Sequence, residues 1–178
     1  MRLSSSSELD AVNEILSFLG MLPINSLEGQ LPPDAVHAKN ALKVASREVQ
    51  SRGCHFNTEH EYTLPLTSSM EIVAPINTLA LKEATGNLVL RGKRVYDKAA
   101  HRYTHDNPLT ATLVFFLGFD ELPEYARRLI TLRAAASMQE QRLGSSELYR
   151  TLEREVGQAT VDFQRAELEK GGYRLDVN

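Results

Sequence analysis

The hydrophobic period of the chain changes within residues 46–59, which read SREVQSRGCHFNTE. Before this stretch, apolar residues recur every three or four positions and form one stripe: Ala38, Leu42, Ala45 and Val49. That stripe predicts a helix from about Asp34 to Arg52, and Gly53 is its expected stop. After the stretch, apolar residues alternate with polar ones, and threonine, tyrosine and turn residues are frequent, which is typical of strands. The fold is therefore predicted to change here from helix to sheet.

Three further helices are predicted from the same period. The first runs from about Glu8 to Gly20, with Ser5 and Glu8 at capping-box spacing. The third begins at Leu122-Pro123 and reaches about Leu143, and the fourth runs from Ser145 or Ser146 to about Lys170. At 1.5 Å per residue the fourth helix is roughly 38 Å long, more than one core of this size needs. We therefore expect it to contact a neighbouring subunit as well.

Residues 55–116 are predicted to form an antiparallel β region, with turns at Gly86-Asn87 and Asp97–Ala100. The predicted strands are Glu61–Leu66, Glu71–Ala74, Asn77–Lys82, Leu88–Leu90, Arg94–Tyr96, Arg102–His105 and Thr110–Phe116. The expected fold class is α+β, a four-helix bundle with this β region inserted between the second and third helices. Residues 1–54 and 117–178 are assigned to the helical bundle domain, and residues 55–116 to the inserted β domain.

The composition is that of an ordinary globular protein. The 178 residues include 20 basic and 23 acidic side chains, a net charge of −3, and 42% are hydrophobic. This balance does not favour a nucleic-acid binder, whose domain is usually strongly basic. The single cysteine, Cys54, excludes a disulfide within the chain and fits a reducing compartment. The longest apolar stretch, Leu113 to Leu117, is far shorter than a membrane span, so no membrane contact is expected.

The sequence contains no catalytic, nucleotide-binding or metal-binding motif that we can identify. His101 and His105 lie four residues apart, with His55 and His60 in the same region, but zinc-ligand spacing is incomplete and surface or hairpin histidines are the preferred interpretation. Cys54 is expected to be a small buried residue, because the adjacent His55 would point away from it in an extended segment. The chain is therefore predicted to be no enzyme and to bind no cofactor or metal.

The densest basic cluster surrounds Gly92 and consists of Arg91, Lys93 and Arg94. Two interpretations stay open for it: a solvated turn, or a basic loop that contacts nucleic acid or an acidic partner. A second, looser set lies on the predicted third helix and has the same alternatives: Arg127, Arg128 and Arg133.

A series of short segments holds its order and spacing across nearly the whole chain. The segments are Ser46-Arg47-Glu48-Val49-Gln50, Gly53, His55-Phe56-Asn57-Thr58-Glu59, Tyr62-Thr63-Leu64, Pro75-Ile76-Asn77, Arg91-Gly92-Lys93, Val95-Tyr96-Asp97, His101-Arg102-Tyr103-Thr104, Phe119-Asp120-Glu121-Leu122-Pro123, Arg127-Arg128-Leu129-Ile130 and Gln141-Arg142-Leu143-Gly144-Ser145. In combination they resemble the tail tubular protein A family, the head-to-tail adaptors or gatekeepers of T-seven-like short-tailed bacteriophages. The sequence departs from that pattern at Cys54, where an aromatic residue is usual, and in its short segment after the fourth helix.

The resemblance implies a structural protein of the virion tail that is made in the cytoplasm of the host bacterium. It implies a homo-oligomer, a dodecameric ring beneath the portal protein, with a tail nozzle of the tail tubular protein B type below and tail fibres docking near that boundary. DNA would pass the channel with transient, non-specific contact, and a slightly acidic protein suits such passage. A small DNA-binding regulatory module that uses the Arg91–Arg94 loop is the alternative function, and a hydrolase in the β region is a third.

The last residues of the chain are predicted to contact a partner. Tyr173, Leu175 and Val177 alternate after Gly171-Gly172, as in an extended segment that lays one face on a neighbouring subunit or on the portal. A frayed terminus without a role is the alternative. The predicted interaction residues are therefore Arg91, Lys93, Arg94, Tyr173, Leu175 and Val177.

Overall fold

A computed structural model of the chain describes residues 6–142 and 146–170. The described helices and strands are α1 (Glu8–Phe18), α2 (Pro33–Gln50), β1 (Thr58–Leu64), β2 (Thr78–Lys82), β3 (Leu88–Arg91), β4 (Arg94–Asp97), β5 (Leu109–Phe115), α3 (Glu124–Arg142) and α4 (Ser146–Lys170). The predicted α+β class is confirmed. The described residues of positions 1–49 and 118–178 group into one compact unit, the helical unit, and residues 50–117 into a second, the β unit. None of the described helices is long and apolar enough to cross a membrane.

In the helical unit, α1 begins with a capping box. The hydroxyl of Ser7 accepts from the backbone N–H of Asp10 at 3.2 Å, and the Asp10 carboxylate accepts from the backbone N–H of Ser7 at 2.9 Å. The helix begins at Glu8 as predicted, but its capping box is formed by Ser7 and Asp10, with an aspartate in place of the usual glutamate or glutamine; Ser5, which the prediction paired with Glu8, lies outside the described residues. One face of α1 is buried and consists of Ala11, Val12, Ile15 and Leu16.

Helix α3 lies at the centre of the helical unit, and both α1 and α4 pack against it. Seven apolar residues of α3 are buried, and they point to several sides of the helix: Ala126, Leu129, Ile130, Leu132, Ala134, Ala135 and Met138. A helix that is apolar on most of its surface needs neighbours on most of its surface. From α4, Leu152, Ala159 and Phe163 are buried as their spacing predicts. The predicted stripe of α2 is buried as well. The closure of all four helices into one bundle, like the predicted domain boundaries, stays a prediction.

The β unit contains a three-stranded antiparallel sheet in the order β1-β5-β2 and a two-stranded hairpin, β3-β4. Its core consists of buried residues from both sheets and from the segment before β2: Leu64, Ile72, Val95, Leu113 and Phe115. β5 is the central strand, and the longest apolar run of the sequence, Leu113 to Leu117, begins within it.

Two predicted strands were wrong. Glu71–Ala74 and Arg102–His105 form isolated bridges to neighbouring segments instead of continuous strands. Left-handed backbone at Met70 (φ 58°) and at His101 (φ 54°) turns the chain directly before each segment. His105 is also buried, at 9% exposure, and its Nε2 donates to the carbonyl of Val95 at 3.2 Å, so it is not a surface residue.

Two buried amide side chains hold the start and the end of the β unit together. Gln50 donates through Nε2 to the carbonyl of Leu117 at 3.0 Å and accepts from the Leu117 N–H at 2.8 Å. Asn57 accepts from the N–H of Cys54 at 2.8 Å and donates to the carbonyls of Gln50 at 3.0 Å and Phe115 at 2.7 Å. Cys54 is buried, as predicted. The residues that follow α2 are thereby fixed to the last residues of β5.

Candidate interaction surface on the β3–β4 hairpin

The basic cluster predicted from the sequence lies at the tip of the β3–β4 hairpin. Gly92 and Lys93 form its two-residue turn, and Gly92 has a φ of 65°, which glycine adopts without steric cost. Since side chains alternate along a strand, Leu90 and Val95 share the face that packs on the core of the β unit. The opposite face of the hairpin therefore presents the side chains at positions 91, 94 and 96.

On that face, two arginines and two tyrosines form one continuous row. The guanidinium carbon of Arg91 lies 3.5 Å from the ring centroid of Tyr96, and that of Arg94 lies 4.1 Å from the ring of Tyr103. The two rings contact each other edge to face, with centroids 4.8 Å apart. A cation over an exposed aromatic ring gains about 0.5–1 kcal/mol, enough to favour one orientation of a long side chain.

The position of Tyr96 beside the arginines could be predicted from the sequence, whereas that of Tyr103 could not. Tyr96 follows Arg94 by two residues, so strand alternation alone places both on one face. Tyr103 belongs to a different segment, which is placed by the bridges on either side of it, Asp97 to Arg102 and Glu71 to Thr104. No local sequence pattern pairs it with Arg94.

The three basic side chains predicted from the sequence differ in whether they have an acidic partner. Arg94 is paired, because its Nη1 lies 3.0 Å from Oε1 of Glu71. Arg91 and Lys93 are exposed, and neither has an acidic partner among the residues that the structure describes. The Lys93 carbonyl accepts from the N–H of Ala74 at 2.8 Å, which fixes the backbone of the tip, while the Lys93 residue is exposed. Two of the three cations are therefore available to an anionic partner.

Acidic groups nearby limit the positive charge of this surface. Arg102 forms an ion pair with Asp106, at 2.8 Å. Asp97 accepts from the backbone N–H groups of Ala99 and Ala100, and the Ala100 hydrogen bond is the main reason that the pKa of Asp97 lies below its ordinary value. The surface thus carries discrete cations among carboxylates and lacks a broad basic field.

Edge strand β1 carries a second charged surface, of opposite sign. Glu59, His60 and Glu61 are exposed in succession, because an irregularity between Glu59 and Tyr62 inserts an extra residue opposite β5. Glu61 has left-handed backbone, with a φ of 54°. Neither glutamate side chain forms an ion pair or hydrogen bond within the described part of the chain, while His60 contacts the hydroxyl of Thr112 at 3.2 Å. We refer to Glu59 and Glu61 as the acidic edge.

The second basic set, on α3, is largely occupied by contacts within the helical unit. Arg127 is 8% exposed and donates to three backbone carbonyls, those of Ser6, Asp120 and Leu122. Arg128 pairs with Glu14 of α1 and with Glu155 of α4. Arg133 lines a cleft of about 270 Å³ between α2 and α3. Arg127 is therefore best explained as a link from α3 to the segments that precede α1 and α3, and Arg128 as a link between α1, α3 and α4.

The remaining predicted site residues are placed as follows. Tyr173, Leu175 and Val177 lie outside the described residues. His101 is exposed, and the described residues include no group of three or more His, Cys, Asp or Glu side chains positioned to hold a metal ion. Of the predicted interaction residues, those of the hairpin are therefore the ones that the structure describes.

Comparison with known proteins identifies the family. A family model described as tail tubular protein matches residues 9–173. Among curated proteins, tail tubular protein A of Klebsiella phage KP34 is 30% identical over 147 residues, which cover 80% of this chain and 76% of that protein. The family match includes both the helical unit and the β unit with its hairpin. The chain therefore belongs to the tail tubular protein family, the structural proteins of the bacteriophage virion tail.

Proposed function

We propose that the chain forms the adaptor ring that joins the portal to the tail nozzle of a short-tailed phage, and that DNA passes through its channel during ejection. The family match over residues 9–173 carries this proposal, together with the likeness to a tail tubular protein A over most of both chains. The ring is a homo-oligomer, most simply a dodecamer that lies coaxially with the portal.

The mechanism of such a ring is geometric. A closed ring of identical chains needs two different, complementary surfaces on each subunit, because each copy meets its two neighbours with different sides. The two faces of the ring then bind different partners, the portal on one side and the nozzle on the other, with tail fibres near the nozzle boundary. No covalent chemistry is required of any residue.

The charge of the chain supports passage of DNA without retention. Seven basic and six acidic residues lie in positions 50–117, so the net charge of the remaining positions is −4. A channel that neutralised many phosphates would bind DNA tightly and in a salt-dependent way. A slightly acidic protein avoids such retention and still permits transient contact.

Exposed apolar residues on α4 supply further surface for subunit contacts. Val161 and Leu168 are 51% and 62% exposed and lie seven residues apart, on the side of α4 opposite Leu152 and Phe163. A helix of 25 residues with apolar groups on two sides is suited to packing against its own unit on one side and a neighbour on the other.

The alternative, a DNA-binding regulatory module, has less support. Arg91 and Lys93 are suited to anions, but they are two cations in a unit whose basic and acidic residues nearly balance. A module that holds duplex DNA usually neutralises several phosphates at once. Specific DNA binding by the purified chain at physiological salt would nevertheless favour this alternative.

Imaging tests the proposal directly. Heads that carry the portal but lack this protein should acquire a ring of twelve subunits below the portal when the purified chain is added, and should then accept the nozzle protein. Density for the chain elsewhere in the virion, or its absence from complete tails, would contradict the adaptor assignment. A matched preparation with heat-denatured chain controls for non-specific adsorption.

A further inference from the structure

We infer that adjacent subunits of the ring are joined by opposite charges, with Arg91 and Lys93 of one copy bound to the acidic edge, Glu59 and Glu61, of the next. The occupant of the hairpin surface is thus a second copy of this chain. The inference rests on the proposed ring, and it adds which surfaces meet within it.

Arg91 is prepared for a carboxylate before any partner arrives. Its guanidinium carbon lies 3.5 Å over the ring centroid of Tyr96, a stacking distance, and Tyr96 contacts Tyr103 edge to face. A guanidinium donates hydrogen bonds in its own plane, so stacking on a ring leaves those donors free. Since the orientation is fixed in advance, less side-chain entropy is lost when a bidentate carboxylate binds.

Lys93 adds a second charge at the tip of the same hairpin. It lies two residues from Arg91, across a turn whose backbone is held by the hydrogen bond from Ala74. The surface therefore offers one guanidinium of fixed orientation, from Arg91, and one exposed ammonium, from Lys93. This arrangement matches two neighbouring carboxylates better than a single one.

The acidic edge offers such a pair. Glu59 and Glu61 are exposed on a strand whose outer side has no hydrogen-bonded neighbour in the sheet, since β5 occupies the other side of β1. The extra residue in β1 interrupts the alternation that would otherwise turn one of three successive side chains inward. Both carboxylates are therefore presented to solvent without a cation of their own among the described residues.

The two surfaces belong to different sheets of the same unit and differ in sign. A twofold contact of either surface with itself would oppose like charges, which is unfavourable. A head-to-tail contact pairs opposite charges at every junction, and this is the contact that generates rings. The charge pattern therefore favours a cyclic assembly over a symmetric dimer.

A protein partner explains the hairpin better than DNA does. Three carboxylates, those of Glu71, Asp97 and Asp106, lie among the cations of this surface. Glu71 and Asp106 neutralise Arg94 and Arg102, so only two free cations would face a phosphate backbone, whose charge repeats about every 1.7 Å along the duplex. A partner that presents two separate carboxylates requires only the two free cations.

Charge exchange tests the inference. The hairpin variant is Arg91→Glu with Lys93→Glu, and the edge variant is Glu59→Lys with Glu61→Lys. The wild type and each variant are added to portal-bearing heads, and ring occupancy is counted in images at low and physiological salt. Arg52→Glu with Lys98→Glu, two exposed residues of the same unit, is the control with the same change in net charge as the hairpin variant.

Each variant alone brings like charges together at every junction, so we expect occupancy to fall at least about tenfold, the effect of roughly 1.4 kcal/mol per contact. An equal mixture of the two variants restores opposite charges at every junction and should recover rings of alternating subunits. The control should assemble as the wild type does. Arg91→Lys and Tyr96→Leu retain the charge but lose the stacked guanidinium, and they should weaken assembly at physiological salt more than at low salt.

The outcomes separate the inference from the proposed function. If the wild type forms rings and both reversed variants form them equally well, the charge contact is wrong and the ring stands. If both variants fail and the mixture fails too, the residues have another role, and the pairing is again refuted. If the hairpin variant loses affinity for DNA while its rings persist, the surface binds nucleic acid instead. Absence of rings with the wild type would refute the proposed function itself.

Discussion

Replacement of Asn57 by alanine should weaken the β unit strongly, although no functional role is assigned to this residue. The side chain is 2% exposed and makes three hydrogen bonds, all to the backbone. Alanine would leave the N–H of Cys54 without this acceptor and the carbonyls of Gln50 and Phe115 without these donors. Water reaches this position poorly, so the groups would lose hydrogen bonds that solvent does not replace.

The expected loss follows from those three groups. A buried polar group that loses its partner costs about 1–3 kcal/mol. Taking the lower limit of about 1 kcal/mol for each group, since the backbone can relax partly and the Gln50 carbonyl keeps its hydrogen bond from the Gly53 N–H at 3.1 Å, the free energy of unfolding should fall by at most about 3 kcal/mol. For a chain of this length that corresponds to a fall in Tm of about 6–12 °C.

Hydrogen exchange in β5, read by mass spectrometry along a urea series, measures this loss within the β unit. It avoids the assumption that both units unfold in one step. Asn77→Ala is the matched control, because Asn77 is exposed and donates a single hydrogen bond, to the Phe116 carbonyl at 3.2 Å. We expect the control to cost less than about 0.5 kcal/mol. A loss below about 1 kcal/mol for Asn57→Ala would refute the reasoning.

Three further predictions follow from the structure. Leu152→Asp, at a fully buried position, should cost at least about 3 kcal/mol, whereas Val161→Asp on the exposed side of α4 should change stability little; equal melting temperatures would contradict this. The Thr85 hydroxyl, with the N–H groups around it, lowers the pKa of Glu83 from 4.5 to about 2, so its stabilisation is complete above pH 4.5 and is lost as the pH falls to 2. Glu83→Gln should therefore reduce the slope of stability against pH in that window, and an unchanged slope would exclude this role. Deletion of residues 173–178 should leave Tm nearly unchanged and weaken attachment to portal-bearing heads; normal attachment would remove the predicted docking role of the tail.

The helices were predictable because their signals are local. Periodic apolar residues and the Gly53 stop determined α2, and its predicted stripe is buried in full. The start of α1 at Glu8 was predicted as well, but its capping box was not, since Asp10 closes a box that the usual pattern assigns to a longer side chain. Boundaries depend on which of several competing side chains reaches the backbone, and sequence period does not decide that.

Features that depend on contacts distant in sequence were not predictable. The bridges that replace the strands at Glu71–Ala74 and Arg102–His105 depend on one another and on β4. The same is true of the interaction site. Arg91 was identified from charge alone, but its stacking on Tyr96 and the ion pair between Arg94 and Glu71 follow from the fold. Charge density thus located the hairpin, and the structure distinguished its free cations from the paired one.

The acidic edge has a second physical consequence that is compatible with its proposed role. An exposed edge strand tends to pair with edges of other molecules, and charged side chains and irregular pairing, such as those at Glu59 and Glu61, oppose this. The same charges oppose edge-to-edge pairing of the free chain and, in the proposed ring, would favour a neighbour of opposite sign. Contacts of this kind are individually weak and are screened by salt. A ring built on them should therefore close efficiently only when another surface raises the local concentration of subunits, as a portal that binds many copies would. It follows that at physiological salt the chain should stay mainly unassembled in solution and form rings on portal-bearing heads, with lower salt reducing the need for the head.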